Sequence, residues 1–99
     1  MEIQQGAVLK VEKIKDPVFV ASKTFFNQSG EIIGCPILGE STESPLHIYV
    51  EMDENKGYIQ CEQMKMLDLR VRGYKIIDRV KMADVINVTD AIQSIFDYI

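Results

Sequence analysis

Hydrophobic and polar positions alternate in short runs over most of this chain and change to three- and four-residue spacing only near its end. From Gly6 to Glu12, Ala7, Leu9 and Val11 fall on one side and Lys10 and Glu12 on the other, the period of a half-buried strand. The apolar run Pro17-Val18-Phe19-Val20-Ala21 opens with proline where a missing N–H matters least, and predicts a second strand. Ser22 to Gly30 has cap-forming residues in front and Ser-Gly behind, which predicts a single helical turn closed by glycine. Glu31 to Leu38 returns to strand character. Gly34 and Pro36 interrupt it, and a proline there predicts a bulge or an unpaired edge.

Gly39 to Pro45 is polar and reads as an exposed loop. Leu46, Ile48 and Val50 then alternate with His47, Tyr49 and Glu51, and Ile59 and Cys61 alternate with Tyr58, Gln60 and Glu62. The polar link Met52 to Gly57 makes these two runs a hairpin. Centred between Glu54 and Asn55, it sets His47 opposite Glu62 and Tyr49 opposite Gln60 on an outward surface. Two more strands are expected near Met66 to Val71 and Tyr74 to Val80, separated by Gly73. From Ala83 onward Val85, Val88, Ile92, Ile95, Phe96 and Ile99 mark one stripe of an amphipathic helix laid on the sheet as core. Many strands followed by one helix predict a mainly β domain with a C-terminal helix, a small twisted antiparallel sheet or barrel.

A chain of 99 residues holds one such domain, residues 1–99, and its 46% hydrophobic and 26% charged content is that of a folded protein. No run approaches the roughly 20 apolar residues of a membrane span, and Met1-Glu2 with Gln4 and Gln5 lacks the pattern of a secretory signal. A cytoplasmic location is the expectation. Cys35 and Cys61 lie far apart in apolar segments, which suggests buried reduced thiols and neither a disulfide framework nor a metal site. A net charge of −4 argues against tight sequence-independent binding of nucleic acid. Its distribution is uneven. Lys10, Lys13 and Lys15 sit near the start, Lys65, Arg70, Arg72, Lys75, Arg79 and Lys81 in the second half, and acidic residues cluster between Glu40 and Glu54.

Several short motifs recur together. Pro17-Val18-Phe19-Val20-Ala21-Ser22, then Phe26-Asn27, Gly30 and Gly34-Cys35-Pro36-Ile37, followed by Cys61-Glu62-Gln63, Leu67-Asp68 and Arg70-Val71-Arg72-Gly73, resemble the pattern of the MazF/PemK/Kid toxins of type II toxin–antitoxin systems. The resemblance covers about nine tenths of the chain. It implies a twisted antiparallel sheet rolled toward an SH3-like barrel of the MazF/CcdB type, a homodimer, and an antitoxin as partner. It also implies cleavage of single-stranded RNA without a metal or other cofactor.

Such cleavage turns a ribose 2′-hydroxyl on the neighbouring phosphate and needs a proton acceptor, a proton donor and a cation. The resemblance places the family Arg and Thr at positions that here hold Asp16 and Leu38. Asp repels phosphate, and Leu neither donates nor accepts a hydrogen bond. Gln60 stands where the Kid branch has a further Arg, Glu62 replaces the acidic residue conservatively, and the loop Lys13-Ile14-Lys15-Asp16 is shorter than in active toxins. A substitute site is expected, if anywhere, at His47 and Glu62, with Tyr49 offering a face for a stacked base. Arg70 and Arg72, two apart on a strand, together with Lys13, Lys15, Tyr49 and Gln60, are the candidate contacts to RNA or antitoxin.

Three functions follow as alternatives: a toxin-like endoribonuclease of weakened or rearranged site, a non-catalytic protein-binding module of a toxin–antitoxin system, and a gyrase poison in the CcdB manner. The chain has no Trp and lacks the C-terminal Trp-Gly-Ile of CcdB, which counts against the third.

Overall fold

The structure is a computed structural model that describes residues 2–97. Its elements follow the order β1 (Ala7–Val11), β2 (Val18–Val20), α1 (Thr24–Asn27), β3 (Glu31–Leu38), β4 (His47–Glu51), β5 (Lys56–Gln60), β6 (Lys65–Asp68), β7 (Tyr74–Arg79) and α2 (Met82–Phe96). The strands form one curled antiparallel sheet in the order β4-β5-β3-β2-β1-β7, with β6 also beside β3. The expected fold class, mainly β with a C-terminal helix, is the observed one, as a half-barrel.

β3 is the shared strand. Along one edge it pairs with β2 from Gly34 to Pro36. Along the other it pairs with β6 from Glu31 to Gly34 and then with β5 at Ile37 and Leu38. Ile37 N–H donates to Pro17 C=O and Ile33 C=O accepts from Ala21 N–H, so the odd positions of β3 turn their main chain to β2. Pro36 therefore directs its missing N–H at the gap where β6 gives way to β5. The register to β2 stays constant through this point, so the proline sits in a local break on the far edge and not in a bulge. Gly34 is dictated by packing, since a Cβ on it would lie 2.3 Å from Val18 Cγ1.

Both faces of the sheet are apolar, which the alternating first strand concealed. Ala7, Leu9 and Val11 pack with Val18, Val20, Ile32 and Leu67 on one face. Val8, between them in sequence, packs with Phe19, Cys35, Ile59, Val85 and Val88 on the face that α2 covers. Each such fully buried side chain contributes about 1.5–3 kcal/mol relative to exposure.

Other expectations are corrected in detail. β6 ends at Asp68, short of Val71, because the Asp68 carboxylate accepts the Arg70 N–H at 3.0 Å and turns the chain. Ser22 does not cap α1. Its hydroxyl donates to Asn27 Oδ1 and accepts the Ile33 N–H, while Lys23 takes the N-cap position without a side-chain bond. The stripe of α2 is core only at Val85 and Val88, with Ile92 packed at the margin. Ile95 and Phe96 are 40% and 69% exposed. Ile99 lies outside the described residues.

The curl is fastened by one carboxylate. Asp78 on β7 accepts backbone N–H groups of Asp53 (3.3 Å) and Glu54 (2.9 Å) and the Asn55 side-chain amide (2.7 Å), tying the β4–β5 hairpin tip to the opposite end of the sheet. Burial pushes this carboxyl up. The bonds from Asn55 and from the N–H groups of Arg79, Glu54 and Asp53 outweigh it and hold Asp78 below the ordinary 3.8. The stability supplied by the closure is present above 3.8 and is lost as pH falls through the lower folded value. Urea unfolding near neutral pH is expected to show Asp78→Ala destabilised by about 2 kcal/mol. The gap from the parent chain should narrow on acidification, and a gap unchanged from neutral to strongly acid pH would contradict this closure.

Candidate functional site

The register of β3 gathers the positions that sequence comparison singled out. Val18 lies opposite Pro36 and Leu38 opposite Tyr58, which in turn lies opposite Tyr49. Extending the β2–β3 register by two pairs, through Pro17 and Ile37, sets Asp16 opposite Leu38, in keeping with the bond from Ile37 N–H to Pro17 C=O. Asp16, Leu38, Tyr58 and Tyr49 thus form one row across the sheet. The adjacent row runs through Val18, Pro36, Gln60 and His47 on the same face. This face is the one opposite α2.

At one end of these rows is a cleft of about 210 Å³ whose walls include Ile14, Lys15, Asp16, Gln63 and Lys65, with Cys35 and Pro36 beside them. A carboxylate and two ammonium groups share it. Lys13 lies in the same β1–β2 loop, exposed, with a positive φ of 67°. Burial pushes the Cys35 thiol up to about 12, with the Cys61 thiol and Glu62 adding to it. Cys61 is likewise raised to about 11, by burial and then by Glu62, so neither thiol is a ready nucleophile or ligand.

At the other end, His47 and Glu62 meet. The hairpin is shifted by two residues from the expected register: His47 lies opposite Gln60, and Tyr49 opposite Tyr58. Glu62 is then a diagonal neighbour beyond the end of β5, and its Oε2 still lies 3.0 Å from His47 Nε2. His47 Nδ1 lies 2.7 Å from Thr42 C=O. A carbonyl only accepts, so Nδ1 carries a proton. An ionised carboxylate only accepts, so Nε2 carries one too. His47 is held as an imidazolium, with its side chain 12% exposed. The Glu62 bond first, and then the Thr42 bond, raise it above the ordinary 6.5; the same pair lowers Glu62.

Gln60, expected on the outward surface, is buried under the Gly39–Pro45 loop. Its Nε2 donates to Tyr58 C=O, and its Oε1 accepts the Ser41 hydroxyl. Ser41 Oγ also lies 3.0 Å from His47 Nδ1. Tyr49 is exposed, with its ring centroid 5.1 Å from that of Tyr58. Ser41 and Thr42 are functional neighbours that alternation could not find, because a loop carries no period to fix where it folds.

Arg70 and Arg72 do not share a strand face; both lie in the turn after β6. The Arg70 guanidinium makes two 2.9 Å bonds to Asp68, which lower Asp68 and raise Arg70. Its stem lies over Gly30, where a Cβ would come within 2.5 Å of Arg70 Cγ. Arg72 is exposed. Among the described residues no group of three or more potential metal ligands comes together, and no helix is long and apolar enough to cross a membrane.

The fold is a curled antiparallel half-barrel closed by one C-terminal helix. The model of the PemK-like, MazF-like toxins of type II toxin–antitoxin systems matches residues 7–96, and the chain belongs to that family. Among solved structures, a MazE–MazF complex from Deinococcus radiodurans superposes with a TM-score of 0.87 over 97% of each chain at 16% identity. An endoribonuclease from a mycobacterial species gives 0.84 at 13% identity, covering 97% of this chain and 92% of that one. A mycobacterial endoribonuclease in complex with its cognate antitoxin gives 0.82 at 13% identity, over 95% and 94%. At these identities the likeness is one of fold. No curated protein sequence matches the chain.

Because the folded value of His47 is raised and that of Glu62 lowered, their pairing stabilises the fold fully between 4.5 and 6.5; that contribution is lost as pH rises through the folded value of His47 or falls through that of Glu62. A proton NMR titration should place the His47 midpoint above 6.5, and Glu62→Gln should bring it down. A midpoint at or below 6.5 in the parent chain would contradict the imidazolium assignment.

Proposed function

We propose that this chain acts as the toxin-fold partner in a toxin–antitoxin pair and that RNA cleavage at the family's inherited position is lost or strongly weakened. One observation carries the reading: the retained family residues make scaffold bonds, while the replaced Asp16 and Leu38 share one row of the sheet face opposite α2 and Gln60 is turned inward to hold a loop. Asn27 is buried and donates to Ile3 C=O at 2.7 Å and to Ser22 C=O at 3.1 Å. Asp68 and Arg70 hold each other across the turn. Asp16, Leu38 and Gln60 sit in adjacent rows of one sheet face. An Asp in place of an Arg puts repulsion where phosphate charge must be steadied.

The chain is therefore read as a binding member whose partner is an antitoxin, as in the MazE–MazF and mycobacterial complexes that share its fold. A mixed single-stranded RNA pool incubated with the purified protein without metal should remain uncut. Asp16→Arg combined with Leu38→Thr is expected to raise cleavage above background by about tenfold or more. Discrete cuts by the unaltered chain would contradict the loss.

A relocated nuclease is the second reading, favoured by the 3.0 Å His47–Glu62 contact beside Tyr49. It requires His47 to release a proton from a position where both ring nitrogens donate. Cuts that disappear in both His47→Ala and Glu62→Ala would select it over the first.

A homodimer is part of the proposal. Ile33, Met64, Ile92 and Phe96 line an apolar groove of about 320 Å³, and Met66 nearby in sequence is 56% exposed. A second copy would bury this surface. Light scattering is expected to give a dimer for the parent chain and a monomer for Phe96→Glu. A parent chain that is monomeric at high concentration would remove this element.

A further inference from the structure

β4 ends the sheet and, among the described residues, pairs only with β5. Leu46 C=O accepts from Cys61 N–H, and Met52 N–H donates to Asn55 C=O. Even positions of this segment therefore turn to β5, and the main-chain groups of Tyr49 and Glu51 turn to the open edge. An edge of this kind is a template for one more strand, and proteins that leave it exposed usually protect it with lysine or proline. β4, His47–Glu51, has neither.

Charge indicates what can lie there. Between Gly39 and Gln63 stand Glu40, Glu43, Glu51, Asp53, Glu54 and Glu62, all exposed, against Lys56 alone. This segment carries −5 with His47 counted neutral, and since the whole chain carries −4, the remainder carries +1. The acidity of the protein is thus concentrated on the lobe that owns the open edge. Aromatic surface lies on the same lobe. Tyr49 is 45% exposed, and Tyr49 and Glu51, two apart on β4, share a face of the strand, so a cation there is attracted by both a π face and a carboxylate.

We infer that the outer edge of β4 takes an extended, Lys- or Arg-bearing segment of a partner protein as an added strand. Tyr49 and Glu51 supply the main-chain bonds, and alternate basic side chains rest against the Tyr49 ring and the flanking carboxylates. RNA is disfavoured on this edge because its phosphates would face the same carboxylates. The surface is separate from the apolar groove beside Phe96, and the inference does not depend on whether RNA is cut or on how an antitoxin binds.

The test uses the full chain, isotopically labelled, and a short alternating Lys-Val peptide. The amides of Tyr49 and Glu51 should shift and become protected from exchange, and affinity should fall with added salt. Glu51→Lys and Tyr49→Val, both at exposed strand positions, should each weaken binding by about tenfold. The same peptide N-methylated at every residue should not bind, because neither of its edges can then donate to the ladder. Equal binding by the N-methylated peptide or by a Glu-Val peptide would overturn the proposal. So would shifts that cluster away from β4, or an oligouridylate that perturbs the same amides more strongly than the Lys-Val peptide.

Discussion

β3 is hydrogen-bonded to β2 along one edge and to β6 and then β5 along the other, so the register of this one strand decides what every face of the sheet presents. A slip of one residue would carry Cys35 and Ile37 out of the core under α2 and put Pro36 and Leu38 into it. Gly34 guards against such a slip, because Val18 fills the space a side chain would need. Pro36 does so from the other direction, since only the break between β6 and β5 leaves its nitrogen without an acceptor to meet. The rows that unite Asp16 with Leu38 and Gln60 with His47 are consequences of this register.

The same geometry separates scaffold from site. Ser22, Asn27, Gly30, Asp68 and Arg70 recur in the family pattern and are each committed to a turn, a buried amide bond or a close contact. Losing Asn27 or Ser22 would leave buried or half-buried partners unpaired, at about 1–3 kcal/mol each. Asp16 and Leu38 make no side-chain hydrogen bond of this kind among the described residues. Gln60 is buried and pins the Gly39–Pro45 loop through Ser41, while His47 holds it through Thr42. At the His47 and Gln60 end of this face the hydrogen-bonding groups are satisfied internally, the opposite of what a phosphate-handling site requires.

Much of this was legible in the sequence. Alternation located the strands, and the terminal three- and four-residue spacing located α2, because those periods are imposed by the elements themselves. The family motifs gave the topology. What escaped was set by tertiary contacts. Val8 is buried between two positions that faced the other way, since a curled sheet covered on both faces abolishes the polar side of its central strands. The hairpin register moved by two because Asp78, far away in sequence, fixes the tip at Asp53 to Asn55. The partnership of Glu62 with His47 survived that shift because a diagonal neighbour remains within reach of two long side chains. Arg70 was misread as a strand residue because the turn that removes it from the strand is made by the side chain of Asp68.

The central claim is that the sheet face carrying Asp16 and Leu38 no longer accommodates a phosphodiester. It is tested most directly by titrating the labelled protein with a single-stranded oligonucleotide in which 2′-deoxy residues prevent cleavage, and following the amides from Lys15 to Val18 and from Pro36 to Gly39. The account predicts that these signals stay in place at near-physiological salt. Saturable shifts confined to those two segments, weakening when Asp16 is replaced by Ala, would contradict it.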